Sequence, residues 1–232
     1  MFDLNIKGDS YNNNLKIAVE ASNYGWKHIN FSYTPEEFTN ALSFKDDLTG
    51  ELKDYINIDY TLNIESDNIS EIRKAIRKFR NKSSCISVTG GNLKVNRDCL
   101  ENPQLDVLSR PYFKRYDSGI NHILARSAKE NNVAVELVFH DILTSYLSGR
   151  SKILANFRAI YNLHRKYGFP LILSSGSESV FDIKSLQDFK AVFTQTGLSI
   201  FEIDNSFKTA GDILEFNRNR KNNILKGVRV VK

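Results

Sequence analysis

Residues 133–139 read VAVELVF and residues 170–173 read PLIL, two short apolar runs of the kind that form buried strands. Between them Ile153, Phe157, Ile160, Tyr161 and His164 recur at three- and four-residue intervals, one face of a long helix that stops at Gly168. Strand, helix, strand in that order is expected to form a parallel unit, because parallel neighbours need a long crossover and a helix supplies it. Each run ends on polar residues, His140-Asp141 after the first and Ser174-Ser175-Gly176-Ser177 after the second.

The same alternation extends in both directions. Strands are expected at Phe2–Ile6, His28–Phe31, Tyr55–Ile64, Cys85–Val88, Asp106–Leu108, Leu198–Ile203 and Gly227–Val231, making nine candidates with the two above. Helices are expected between them. Leu15, Ala18, Val19 and Ser22 share one face; Ile69, Ile72, Ile76 and Phe79 share another; Ile120, Ile123, Leu124, Ser127 and Ala128 form a third. Thr34-Pro35-Glu36-Glu37 has the pattern of a capping box with proline in the first turn. Asn68 with Glu71 is expected to cap a helix, as is Asp182 for the stretch through Leu186, Phe189 and Phe193. A last helix is marked by Ala210, Ile213 and Leu214. No linker or repeat interrupts the series. The reading is a single α/β domain over residues 1–232, a TIM-barrel-like (β/α) barrel, closed or nearly closed.

Composition narrows the function. The chain has 232 residues, 41% of them hydrophobic and 25% charged, enough for a sizeable core. No stretch approaches a membrane span, and MFDLNIKGDS is not a signal peptide, so a cytoplasmic protein is expected. Cys85 and Cys99, the only cysteines, fit no zinc or redox spacing, and Cys85 reads as a buried free thiol. The formal charge of +5 is unevenly spread. Residues 1–110 carry 14 Lys and Arg against 16 Asp and Glu; residues 111–232 carry 18 against 11. A one-sided excess of cations attracts polyanions such as RNA, although such residues are often just a solvated face.

In a barrel, function gathers in the loops after the strands' C-terminal ends. Here those loops are poor in metal ligands. The four histidines, His28, His122, His140 and His164, make no HxH or HExxH pair, and beside His140-Asp141 no further ligands are visible. No nucleophile elbow, P-loop or dinucleotide fingerprint is present. No catalytic or metal-binding residue is therefore assigned, and no cofactor is expected on this chain. The Ser174-Ser175-Gly176 turn reads either as an anion cradle or as an ordinary polar turn. Candidate RNA contacts are Lys114 and Arg115 beside Tyr112, Phe113 and Tyr116, then Arg150, Lys152, Arg158 and Arg165, and the C-terminal Arg218, Arg220 and Lys221. Arg158 and Arg165 lie seven apart and share an outer helix face.

An ordered set of segments carries a family resemblance. Phe2-Asp3-Leu4-Asn5, His28-Ile29-Asn30-Phe31, Asp106-Val107-Leu108, Tyr116-Asp117-Ser118-Gly119-Ile120-Asn121, Val135-Glu136-Leu137 with Arg158, and Pro170 through Gly176 together resemble the barrel protein subunit of ribonuclease P, known in archaea as component 3. Two departures stand out: Ser177 where the family has Ala, and Asp3 and Asn5 where the related polymerase-and-histidinol-phosphatase barrels carry clustered histidines. The resemblance implies a role in removing the 5′ leader of precursor tRNA. It further implies that the RNA subunit does the chemistry with Mg2+, and that this chain works beside a ferredoxin-like protein subunit (component 2) and other ribonuclease P proteins. A metal-dependent phosphoesterase of the same barrel type is the second reading, and a protein-only scaffold the third.

Overall fold

The structure is a computed structural model that describes residues 1–220 and, beyond them, only the backbone of 223–225 and 228–229. Seven strands, β1 (Phe2–Lys7), β2 (His28–Tyr33), β3 (Asn57–Ile64), β4 (Cys85–Thr89), β5 (Val107–Ser109), β6 (Ala134–Val138) and β7 (Leu171–Ser174), pair in chain order. Every pair is parallel. The connecting helices are α1 (Tyr11–Asn23), α2 (Pro35–Ala41), α3 (Lys45–Leu52), α4 (Ile69–Phe79), α5 (Leu93–Leu100), α6 (His122–Asn131), α7 (Phe139–Thr144), α8 (Leu147–Tyr167), α9 (Leu186–Thr196) and α10 (Ile200–Arg218).

Strand alternation builds two cores. Ile29, Phe31, Tyr60, Leu62, Ile86, Val88, Val135, Leu137 and Leu171 meet the buried helix faces in one large cluster around the sheet. Cys85, Val107, Ala134 and Ile172 point the other way and, with Leu4, form a smaller cluster closed by Ala210 and Leu214 of α10. Both cysteines are buried free thiols, and burial raises the pKa of each. Above the small cluster the barrel interior is polar. Asn30 donates to Thr61 Oγ1 at 3.0 Å, Thr61 donates to the Leu4 carbonyl at 2.9 Å, and Asn5 Nδ2 donates to Glu136 Oε2 at 3.1 Å. The last two bonds join strands that are not neighbours in the sheet, so they cross the barrel.

The gap between β7 and β1 is bridged without a ladder among the described residues. The Lys7 N–H donates to the Ser177 carbonyl at 2.8 Å, and the Asp3 carboxylate accepts the Ser175 N–H at 3.2 Å. A bulge in β1 between Asp3 and Ile6 makes room for this closure. The expected barrel is thus seven-stranded and nearly closed.

Two of the nine expected strands are corrected. Leu198–Ile203 begins a helix: Ser199 and Glu202 form a reciprocal capping box at the start of α10, directly after Gly197 ends α9 in the left-handed conformation. An apolar Ile-Phe pair inside a helical N-terminus looks like a strand when the cap is overlooked. Gly227–Val231 contributes only Val228–Arg229 among the described backbone. This strand, β9, pairs antiparallel with β8 (Asn223–Leu225), outside the barrel sheet. Ser185, not Asp182, caps α9, while Asp182 ends a short 3-10 turn capped by Ser179. Val19 and Ile123 face solvent; Ile17 with Ala21 and Ala125 take the buried positions. The Thr34–Glu37 box and the Asn68 cap form as expected.

Candidate functional site

Arg110 after β5, Glu136 in β6, Asp141 in α7 and Ser175 after β7 meet Asp3, from the start of β1, inside the barrel mouth. Glu136 is 1% exposed, a carboxylate inside an otherwise apolar strand. Burial pushes its pKa up, opposed by hydrogen bonds that include the Asn5 amide and by the charge of Arg110. Asp3 is equally buried and is pushed up to about 7 by desolvation, against the Ser175 and Asn5 hydrogen bonds, with Glu136 adding a further raising charge. Asp141 lies with Oδ2 3.3 Å from Arg110 Nε and accepts the Tyr112 hydroxyl at 2.7 Å. Tyr112 in turn accepts the Val138 N–H at 3.2 Å, which fixes the ring beneath the start of α7.

Arg110 follows β5 directly and has a positive φ of 48°, strained for a side chain of this size. Its guanidinium stands against Gly176. That glycine has φ +62°, and a Cβ there would lie 2.2 Å from Val138 Cγ1 and 3.5 Å from Arg110 Nη2. Only glycine lets the β7 turn close against Val138, beside the arginine. The mouth therefore holds an internal cation among its carboxylates. Among the described residues no three His, Cys, Asp or Glu side chains converge as metal ligands.

The Ser174–Ser177 turn faces inward, and its Ser175 N–H meets the buried Asp3 carboxyl group. Ser174 and Ser175 are 0% and 4% exposed. The Ser175 N–H goes to Asp3, and its hydroxyl is bonded to Ser177 at 2.9 Å. Ser174 and Ser175, expected as RNA contacts, are buried in this chain, with the Ser175 N–H turned inward to Asp3 and the Ser174 hydroxyl unpartnered. Ser177 is the partner of the Ser175 hydroxyl.

The basic candidates divide into two groups. Lys114 is exposed beside the Phe113 ring, Arg150 is exposed and donates to the Ser145 carbonyl at 2.8 Å, and Arg158 is exposed and reaches the Thr196 carbonyl at 3.3 Å. None of these three has an acidic partner within 4 Å among the described residues. The others are tied internally. Arg115 pairs with Asp117 at 2.6 Å, and Arg165 pairs with Glu202 at 2.6 Å while also holding the Gly197 carbonyl. At the opposite end of the barrel Arg218 pairs with Asp59 at 2.5 Å and Arg220 with Asp106 at 3.6 Å. Lys221 lies outside the described residues. A cavity of about 920 Å3 opens at that end between α10 and the starts of β5–β7, lined by ions of both signs, Asp106, Lys208, Asp212 and Arg220 among them.

Sequence analysis gave Arg110 no role and met Glu136 only as part of the family resemblance. The signal was present: a lone carboxylate in VAVELVF and an arginine closing a three-residue strand are the two charges that a buried barrel end must pair.

Known proteins place this architecture. The family model described as RNase P subunit p30 matches residues 1–222. Ribonuclease P protein component 3 of Methanothermobacter thermautotrophicus is 39% identical over 99% of this chain and 95% of its own length; that of Methanococcus maripaludis is 34% identical over 86% and 84%. A chain in the cryo-EM structure of archaeal ribonuclease P with mature tRNA superposes with a TM-score of 0.84, at 27% identity, covering 100% of this chain and 98% of that one. Histidinol phosphate phosphatase from Lactococcus lactis shares the fold alone, with a TM-score of 0.60, 12% identity, and coverage of 85% and 94%. With the family model spanning nearly the whole barrel and relatives aligned end to end, the chain belongs to the RNase P subunit p30 family.

Proposed function

We propose that this chain is a protein subunit of ribonuclease P, the ribonucleoprotein endonuclease that removes the 5′ leader of precursor tRNA. It acts by binding and stabilising the catalytic RNA, and the RNA with Mg2+ performs the cleavage. The observation that carries this reading is the full-length likeness to a chain of archaeal ribonuclease P, in sequence family and in fold together. The barrel mouth supports it: the carboxylates that a metal phosphoesterase would turn toward metal ions are met here by Arg110, Tyr112 and the Ser175 N–H. The partners are the ribonuclease P RNA, a ferredoxin-like protein subunit (component 2), other ribonuclease P proteins and precursor tRNA as substrate, in the cytoplasm. No described helix is long and apolar enough to cross a membrane. Lys114, Arg115, Arg150, Arg158 and Arg165 are the RNA-facing cations of this reading, and Arg218 and Arg220 act at the other end of the barrel.

The test is affinity purification of the tagged chain from native cells, with sequencing of what accompanies it, alongside precursor-tRNA cleavage. One structured RNA should co-purify, and the RNA-free protein should leave precursor tRNA intact in Mg2+ or Mn2+. Clean 5′ cleavage by RNA-free protein, abolished in Asp141→Ala, would replace this reading with the phosphoesterase.

A further inference from the structure

The loops after β5 and β6 carry large exposed rings beside cations. Tyr116 is 93% exposed, Tyr146 76% and the adjoining Leu147 92%. Lys152 Nζ sits 3.3 Å from the centre of the Tyr116 ring, and the Arg150 guanidinium lies 5.8 Å from that of Tyr146. Lys152 and Arg150 both stand in the first turns of α8, so that helix start joins the two rings into one patch. The backbone beneath is strained. Arg110, Lys114 and Leu147 have φ of 48°, 54° and 44°, and the one other non-glycine residue with positive φ among those described is Asn132, which ends α6 as a left-handed cap. Strain at Arg110 and Lys114 in the loop after β5 and at Leu147, the first residue of α8, marks a surface built for contact.

Charge decides what kind of contact. The acids nearby are already engaged: Asp117 by Arg115, and Asp141 by Arg110 and Tyr112. Lys114, Arg150 and Lys152 have no acid within 4 Å among the described residues. No acid stands in the first turn of α8, and Tyr146 supplies no side-chain cap, so the positive end of that helix dipole adds to the patch. Solvated rings flanked by uncompensated cations suit a ligand with π-faces and phosphates along one strand. A duplex offers phosphates but keeps its bases stacked inside. From these placements we infer that Tyr116 and Tyr146, with Lys152 and Arg150, form a platform on which unpaired RNA bases stack while the cations hold the adjoining phosphates. This deepens the proposed function and rests on it.

The experiment uses the purified full-length chain and two probes with equal numbers of phosphates: a single-stranded oligoadenylate carrying 2-aminopurine, and a blunt RNA duplex. The chain should bind the single strand and quench the 2-aminopurine. Tyr116→Ala with Tyr146→Ala should weaken single-strand binding at least about fivefold and abolish quenching, with duplex binding unchanged, because ring–base stacking is lost and charge is kept. Tyr116→Phe with Tyr146→Phe should retain both affinity and quenching. Lys152→Ala should weaken both probes and flatten the salt dependence. Equal loss on both probes in the alanine pair, or loss in the phenylalanine pair, overturns stacking. Loss of association with a co-expressed protein subunit and none with RNA makes the patch a protein interface and likewise overturns it. Unchanged RNA binding in the alanine pair sinks the platform alone. Failure of the unsubstituted chain to bind any RNA sinks the subunit reading with it.

Discussion

A carboxyl group that is fully buried and held by two N–H donors makes its own contribution to how this barrel responds to pH. Asp3 titrates near 7 in the folded chain, against an ordinary value of 3.8. Between those two values the folded state keeps a proton that the unfolded state has released, so stability falls as pH rises through that window. Asp3→Asn imitates the protonated acid and removes the effect. Urea midpoints at pH 5.0 and 7.5 should show the parent losing stability relative to the variant, at no more than about 1.4 kcal/mol per pH unit for one proton. Parallel lines for the two proteins would mean that Asp3 is ionised throughout. Residue-level chemistry of this kind is only partly legible in a sequence. Asp3 and Asn5 can be recognised as polar residues on a first strand, but the donor that Asp3 meets, Ser175, is 172 positions away. Likewise Arg165 reads as a free surface cation until the fold brings Glu202 to it.

Elements were legible wherever period and punctuation agreed. Seven strands and the long α8 follow from apolar runs bounded by Gly, Pro and capping residues, and the Thr34–Glu37 box was read correctly down to its reciprocal bonds. Beside the Gly227–Val231 strand and the cap of α9, the most consequential exception is α10. Its start, Leu198-Ser199-Ile200-Phe201-Glu202-Ile203, has strand-like apolarity, and only the Ser199–Glu202 spacing reveals the cap. That helix matters more than its position after the last barrel strand suggests. It lies across the N-terminal end of the barrel, puts Ala210 and Leu214 under the inner cluster, and extends Asn217 to the Ser84 carbonyl and Arg218 to Asp59. Ser199→Ala removes the side-chain acceptor at its first turn and should cost about 1 kcal/mol. Part of that loss is indirect, since Glu202 is held low, at about 2, chiefly by Arg165 and then by Ser199, and a frayed first turn would release both contacts. Chemical denaturation should show a lower midpoint with an unchanged slope. A change below about 0.3 kcal/mol would mean that packing alone holds the start of α10.

At the scale of the whole molecule, the uneven charge visible in the sequence becomes a statement about faces. Counting charges located an excess in residues 111–232, but it could not tell which cations the fold would spend on its own carboxylates. Arg218 and Arg220 belong to the excess and are paired at the barrel's N-terminal end; Lys114 and Arg150 lie near the mouth without such partners among the described residues. Only a cation free to exchange its counterions contributes fully to the salt dependence of RNA binding. Lys114→Ala with Arg150→Ala should therefore flatten the plot of log Kd against log salt by about one to two units on ribonuclease P RNA, at roughly 0.9 per duplex phosphate and less for single strands. Arg158→Ala with Arg165→Ala should flatten it by less, because Glu202 already engages Arg165. Arg73→Ala with Arg77→Ala, on α4 in the acidic half, should leave it unchanged, since Arg73 is paired with Asp98. Stability should move within about 0.5 kcal/mol for the Lys114 and Arg150 pair, as both side chains are on the surface. Equal flattening by all three pairs would mean that the RNA is held by overall charge and not by the mouth-side face, and the division between paired and unpaired cations would then say nothing about where RNA lies.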